Sequence, residues 1–159
     1  MIELLQPRLK NIGSLGELLP AVREVLDSVK IQVEGLKRKR IGYVSGIISS
    51  DGPDKIQENI ERLKRFTDNV RSAYQFPVFS ATDIFTDEIY QRCSKDRPLL
   101  NADFIQFWRN LLEAGLVTDV FMTPRWEESE GATDEHSIAE QEGLNIHYLP
   151  SKALSIVDL

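Results

Sequence analysis

Apolar residues in the first 40 positions recur every three or four places: Leu15, Leu18, Leu19, Val22, Val25, Leu26, Val29, Val33 and Leu36. That spacing gathers them on one side of an α-helix and predicts an amphipathic helix with Pro20 near its start. Such a stripe covers its own domain or pairs with another subunit, and the pattern serves both. From residue 41 the period changes. IGYVSGII, FPVFSA, VTDVFMTP and LNIHYLP are short apolar runs bounded by turn residues, which predicts four strands. Between them, DKIQENIERLKRFTDNVRSAYQ and NADFIQFWRNLLEAG predict helices, the second capped by Gly115, and TDEIYQRC predicts a short helix or turn. Strands separated by helices pair in parallel through right-handed crossovers. The chain therefore predicts an α/β three-layer sandwich over residues 41–159 and a helical extension over residues 1–40.

The stretch WEESEGATDEHSIAEQEG, residues 126–143, holds the least ordinary position. Drawn as a helix, it sets Ala132, His136, Ala139 and Gly143 on a small-residue side and Glu130, Asp134, Ser137 and Gln141 on a solvated one. Glu135 falls between Ala139 and Ile138, on the side that packs against a sheet. A carboxylate there is costly unless something uses it; otherwise it sits at the margin and reaches water past Ile138.

Parallel α/β folds bind ligands beyond the carboxyl ends of their strands. Ser45 and Gly46 end the first strand, Ser80 and Asp83 follow the second, and Trp126 and Ser129 follow the third, just before the helix that carries Glu135. These residues converge on one rim.

Composition narrows the possibilities. A chain of 159 residues with 42% hydrophobic and 28% charged residues is the size and balance of one globular domain. It has no apolar run long enough to span a bilayer, and MIELLQPRLK lacks the apolar stretch of a secretory signal, so no membrane association and a cytoplasmic location are expected. Cys93 is the single cysteine, which excludes an internal disulfide. The formal charge is −6, with basic residues gathered in KRKR at 37–40 and RLKR at 62–65. Two short basic spots do not make the continuous surface that a nucleic acid polymer needs. KRKR has a plainer use, as cations at the carboxyl end of a helix.

The familiar motifs are absent. YVSGIISSDG has neither the dinucleotide fingerprint nor a P-loop, and Gly46 serves a close backbone approach or a tight turn. His136 and His147 lack the partner spacing of a zinc motif, and His147 reads as structural within its strand. No Gly-x-Ser-x-Gly elbow appears. Neither a metal nor a cofactor is expected. The acids remain: retaining glycosyl transfer needs a carboxylate that attacks an anomeric carbon, with acid groups to help the leaving group. Glu135 supplies the carboxylate, with Asp119 and Asp83 as candidates from neighbouring strands. Ser129 is a natural helix N-cap, and the same place exposes N–H groups suited to a phosphate. Trp126 and Phe79 stack on a base or pack at the strand ends.

The order YVSG, a helix containing Asn59, FPVFSATD, and TDVFMTPRWEESEGATDE followed by Ala139 resembles the nucleoside 2-deoxyribosyltransferase-like superfamily. The likeness covers about residues 41–149 and is nearest to the superfamily's small branch, marked by a Trp and Ser-x-Gly-Ala-x-x-Glu. The resemblance implies a flavodoxin-like α/β/α sandwich with a parallel sheet, and cleavage of the N-glycosidic bond of a nucleoside or nucleotide. It implies that Glu135 attacks the sugar C1′, that Tyr43 lies near the sugar, and that Asp119 protonates the leaving base. Gly46, Asp83, Trp126 and Gly131 join Ser129 as substrate-binding positions. Transferases of free nucleosides carry Asp six residues before the catalytic Glu, whereas nucleoside 5′-monophosphate N-glycosidases carry Ser. Ser129 therefore implies a phosphate, which a carboxylate would repel. Members often complete their sites with a neighbouring subunit, so a homo-oligomer is implied. Two other readings compete: a nucleotide-binding or sensing module without turnover, and an assembly protein dominated by its N-terminal helix.

Overall fold

The computed structural model describes residues 2–33 and 40–151. Four strands, β1 (Gly42–Ser45), β2 (Val78–Ser80), β3 (Asp119–Met122) and β4 (Asn145–Tyr148), form one all-parallel sheet in the order β2-β1-β3-β4. Among the described residues seven α-helices flank it: α1 (Ile2–Leu9), α2 (Leu15–Val33), α3 (Ile56–Ala73), α4 (Ala81–Ile84), α5 (Asp87–Cys93), α6 (Asn101–Glu113) and α7 (Glu130–Gln141). This is a flavodoxin-like three-layer α/β/α fold.

Alternation along β1 divides the core in two. Val44 packs with Val78, Phe121 and the α3 residues Leu63, Phe66 and Val70 on one face. Tyr43 packs with Phe79, Val120, Met122 and the buried residues of α6 and α7 on the other. Successive side chains of a strand point to opposite faces, so the two sets cannot mix. β1 leads into α3 on the first face and β3 leads into α7 on the second. The switch point of the sheet therefore lies between the carboxyl ends of β1 and β3.

The N-terminal stripe covers its own domain. Leu18, Val22 and Leu26 of α2, with Leu5 and Leu9 of α1, are fully buried in the same core as Tyr43 and Leu111. The single expected helix is two, because the turn at Asn11–Gly13 separates them and Ser14 restarts the chain, its hydroxyl accepting from Glu17 N at 3.3 Å. Pro20 consequently lies inside α2, in its second turn, and not at its start. Leu36 and Lys37–Lys39 of the basic run lie outside the described residues. No helix among the described residues is long and apolar enough to cross a membrane.

Candidate functional site

Helix α7 begins where its sequence says it should. Ser129 is the N-cap, in extended conformation, and its Oγ accepts from Ala132 N at 3.1 Å. That bond answers one of the donors a helix start leaves unpaired. From this start the helix presents Ala132, Glu135, Ile138 and Ala139 inward. Glu135 is 7% exposed, so it is not a marginal residue reaching for water.

Its carboxyl crosses to β1. Tyr43 Oη donates to Glu135 Oε1 in a short hydrogen bond. Tyr43 is itself fixed by stacking on Trp108, with ring centroids 4.8 Å apart, and by a tilted contact with Phe79 at 5.4 Å. Burial pushes the Glu135 carboxyl up to about 8, against the opposing pull of Tyr43 and of Ser45. Burial and then the Glu135 charge hold the Tyr43 phenol well above its ordinary value, so Tyr43 remains a donor. Ser45 Oγ lies beside the carboxyl, wholly buried, with no hydrogen bond of good geometry. Glu135 Oε2 faces the helix start: a Cβ added at Gly131 would lie 3.7 Å from it and 3.9 Å from Ser129 Oγ.

Tyr43, Ser45, Ser129, Gly131 and Glu135 thus form one group between β1 and the first turns of α7. Sequence reasoning placed Ser45 on the rim but gave it no role; the signal was its position two residues after Tyr43, on the same face of β1.

The other candidates are placed elsewhere. Asp119 opens β3, in register with Gly42, on the face of Phe121 and at the opposite end of the sheet from Ser45 and Met122. It is fully buried and bound to Arg40 Nη2 at 2.5 Å, Thr118 Oγ1 at 2.7 Å and His147 Nε2 at 2.8 Å. Burial alone would raise its carboxyl; the hydrogen bonds from Arg40, Thr118 and His147 hold it at about 2. The structure does not bring Asp119 to Glu135, because the first residue of a four-residue strand cannot reach the rim at its far end. Asp83 closes a capping box at the start of α4, accepting from Ser80 N at 2.9 Å and from Arg71 Nη2 at 2.5 Å. Trp126 stacks on His136 with centroids 4.1 Å apart, and His136 meets Tyr148 Oη at 2.6 Å, so its ring packs within the chain.

Gly46 stands at the switch point, where a Cβ would come within 2.4 Å of Thr123 Oγ1. Thr123 draws the two loops together, with its N and Oγ1 both donating to Ser45 O at 3.0 and 2.9 Å. The cavity beside them, lined by Gly46, Asn59, Arg62 and Thr123 among others, measures about 10 Å³, room for about one water. A larger open depression of about 310 Å³ lies at the other end of the sheet, around Gly115, Thr118 and Asn145. It carries none of the candidate chemistry. No group of acids, histidines or cysteines among the described residues is arranged to hold a metal ion.

No family model, curated protein or solved structure matches the chain.

Proposed function

We propose that this protein cleaves the N-glycosidic bond of a nucleoside 5′-monophosphate or a related nucleoside, or exchanges its base, with Glu135 as nucleophile. The observation that carries this reading is the buried Glu135 carboxyl, held by Tyr43 at the carboxyl end of a parallel sheet and beside the capped start of α7. The resemblance of the Trp126–Glu135 segment to nucleoside 2-deoxyribosyltransferase-like enzymes supports it. In this reading the ionised Glu135 attacks C1′ as the bond to the base nitrogen breaks, and water or a second base then takes the sugar from the carboxyl. A neutral buried acid is not yet a nucleophile. Glu135 gives its proton to solvent before the attack; the Tyr43 and Ser45 hydroxyls and the positive charge developing on the sugar then stabilise the carboxylate, and the departing base takes a proton from water. Tyr43 also orients the carboxyl by holding Oε1, with Oε2 on the side of Gly131 and Ser129. Ser129 Oγ accepts from the helix, so its proton is available to a phosphate oxygen. Asp119, at the far end of the sheet, does not serve the leaving base.

The test is base release, read by chromatography, from ribo- and deoxyribonucleosides and their 5′-monophosphates, with and without an acceptor base. Turnover is expected to disappear in Glu135→Gln, and kcat/KM is expected to rise with pH towards about 8, as the free carboxyl ionises. Turnover unchanged by Glu135→Gln refutes the nucleophile. Ligand-induced stabilisation with no base released from any substrate assigns the site to binding alone.

A further inference from the structure

The sheet has two outer edges, and the fold treats them differently. In β2, Pro77 O accepts from Gly42 N of β1, so alternation turns the backbone groups of Val78 and Ser80 away from the sheet. Side chains occupy that edge: Arg71 Nε donates to Val78 O at 2.9 Å, and Ser80 N donates to Asp83 Oδ2 at 2.9 Å. Arg71 and Asp83 are themselves paired at 2.5 Å, and β2 is buried along its whole length. An edge closed in this way offers no template to another strand.

The opposite edge is bare. Asn145 N at the start of β4 and Leu149 N just past its end donate to Thr118 O and Met122 O beside them. Alternation therefore sends the N–H and C=O groups of Ile146 and Tyr148 outward, where no residue among those described bonds them. Asn145–Tyr148 contains no charged residue and no proline, and its register with β3 runs without a bulge, so the usual devices that blunt an edge are missing. The side chains beside this edge are apolar and aromatic. Ile146 and Tyr148 lie on the α7 face, Tyr148 is 60% exposed, and its ring stands 6.2 Å from that of Trp126.

We propose that β4 is a dimerisation edge: two copies of the chain join their sheets through antiparallel β4 strands, related by a two-fold axis at His147. A second copy fits because the edge is complementary to itself. In this register Ile146 faces Tyr148 of the partner subunit and exchanges both N–H···O bonds with it, and the symmetric pair does the same, so every outward group of the strand is satisfied. Ile146 against Tyr148 is also a favourable cross-strand pair of a β-branched and an aromatic residue. The chain carries a formal charge of −6, so two copies repel over most of their surface; the uncharged β4 lets them meet without opposed carboxylates. A four-residue strand buries less than a stable dimer needs, so the adjoining flank of α7 with His136, which bonds Tyr148, shares the contact and the affinity is about micromolar. The strands of the two copies run in opposite directions. Their Glu135 sites therefore open on opposite rims, and the dimer stands apart from catalysis.

The test is sedimentation of the full chain from about 1 to about 300 µM, with amide exchange followed residue by residue at both ends of that range. A dimer is expected to build up with concentration. The N–H groups of Ile146 and Tyr148 are expected to exchange freely in the monomer and to slow as the dimer forms, while those of Asn145, His147 and Leu149, which face β3, stay slow throughout. Ile146→Pro removes an outward donor from each copy and leaves the bonds to β3, so dimer affinity is expected to fall about ten- to a hundred-fold. Tyr148→Lys keeps the strand but puts a charge on its edge; it is expected to weaken the dimer likewise and answers the case in which the proline variant does not fold. A dimer that neither variant weakens, or one in which Ile146 and Tyr148 still exchange freely, overturns the proposal. Slow exchange of those two amides in the monomer also overturns it, because the edge is then covered from within the chain. A monomer at every concentration does the same and leaves the edge to a strand of another protein.

Discussion

Glu135 is held in a state that ordinary solvent would not allow. In the unfolded chain its carboxyl ionises near 4.5, and in the folded chain near 8, so between those values the folded state keeps a proton that the unfolded state has lost. Stability from this group is complete below about 4.5 and falls as pH rises towards 8. Asp119 works in the other direction: its depressed carboxyl contributes stability above its unfolded value of 3.8, and that contribution is lost as pH falls towards 2. The stability of the wild type, followed by urea denaturation across pH, is therefore expected to peak between about 4 and 5. Glu135→Gln, which keeps an acceptor for Tyr43 but cannot ionise, is expected to flatten the alkaline side and to be on the order of 2 kcal/mol more stable at pH 7. An alkaline slope as steep in the variant as in the wild type would show that the proton on Glu135 is not its source. The odd acid was legible in the sequence because helical spacing put it among alanines. Its partner Tyr43 was legible only by resemblance, since no local pattern joins residues 92 positions apart.

At the scale of elements, the strands and the helices between them followed from period alone, and the rim followed from parallel pairing. What period could not supply was which end of a strand each acid occupies. Asp119 looked available because it stands in a run of strand residues; tertiary pairing puts it first in β3, where Arg40 and His147 bind it. Asp83 and Trp126 likewise found partners within the fold. The closeness of Gly46 to Thr123 was equally invisible, because it depends on how two loops meet. Gly46→Ala is expected to destabilise by roughly 1–3 kcal/mol, since its Cβ meets Thr123 Oγ1 at 2.4 Å. Thr123→Ala, by removing that atom, is expected to recover part of the loss. A double-mutant cycle with coupling below about 0.5 kcal/mol would show that the contact is not the cause.

For the whole molecule the N-terminal helices decide what counts as the domain. Burying one Leu or Val side chain contributes about 1.5–3 kcal/mol, and Leu5, Leu9, Leu18, Val22 and Leu26 are all fully buried. Together they rival the net stability of a typical domain, about 5–15 kcal/mol. Removal of residues 1–33 is expected to abolish cooperative folding, read as lost near-ultraviolet circular dichroism and lost amide dispersion. A shortened chain that still melts cooperatively would return these helices to the status of an appendage.

The sequence by itself determined the α/β class, the parallel sheet, the helix that carries Glu135 and its serine cap, because periodicity, turn chemistry and capping act within a few residues of one another. The tertiary structure decided which surface the N-terminal stripe covers, which acids are spent on ion pairs, the raised proton affinity of Glu135 and the close meeting of Gly46 with Thr123. Those properties belong to groups brought together from distant parts of the chain, and burial, which sets their energies, exists only once the layers have packed.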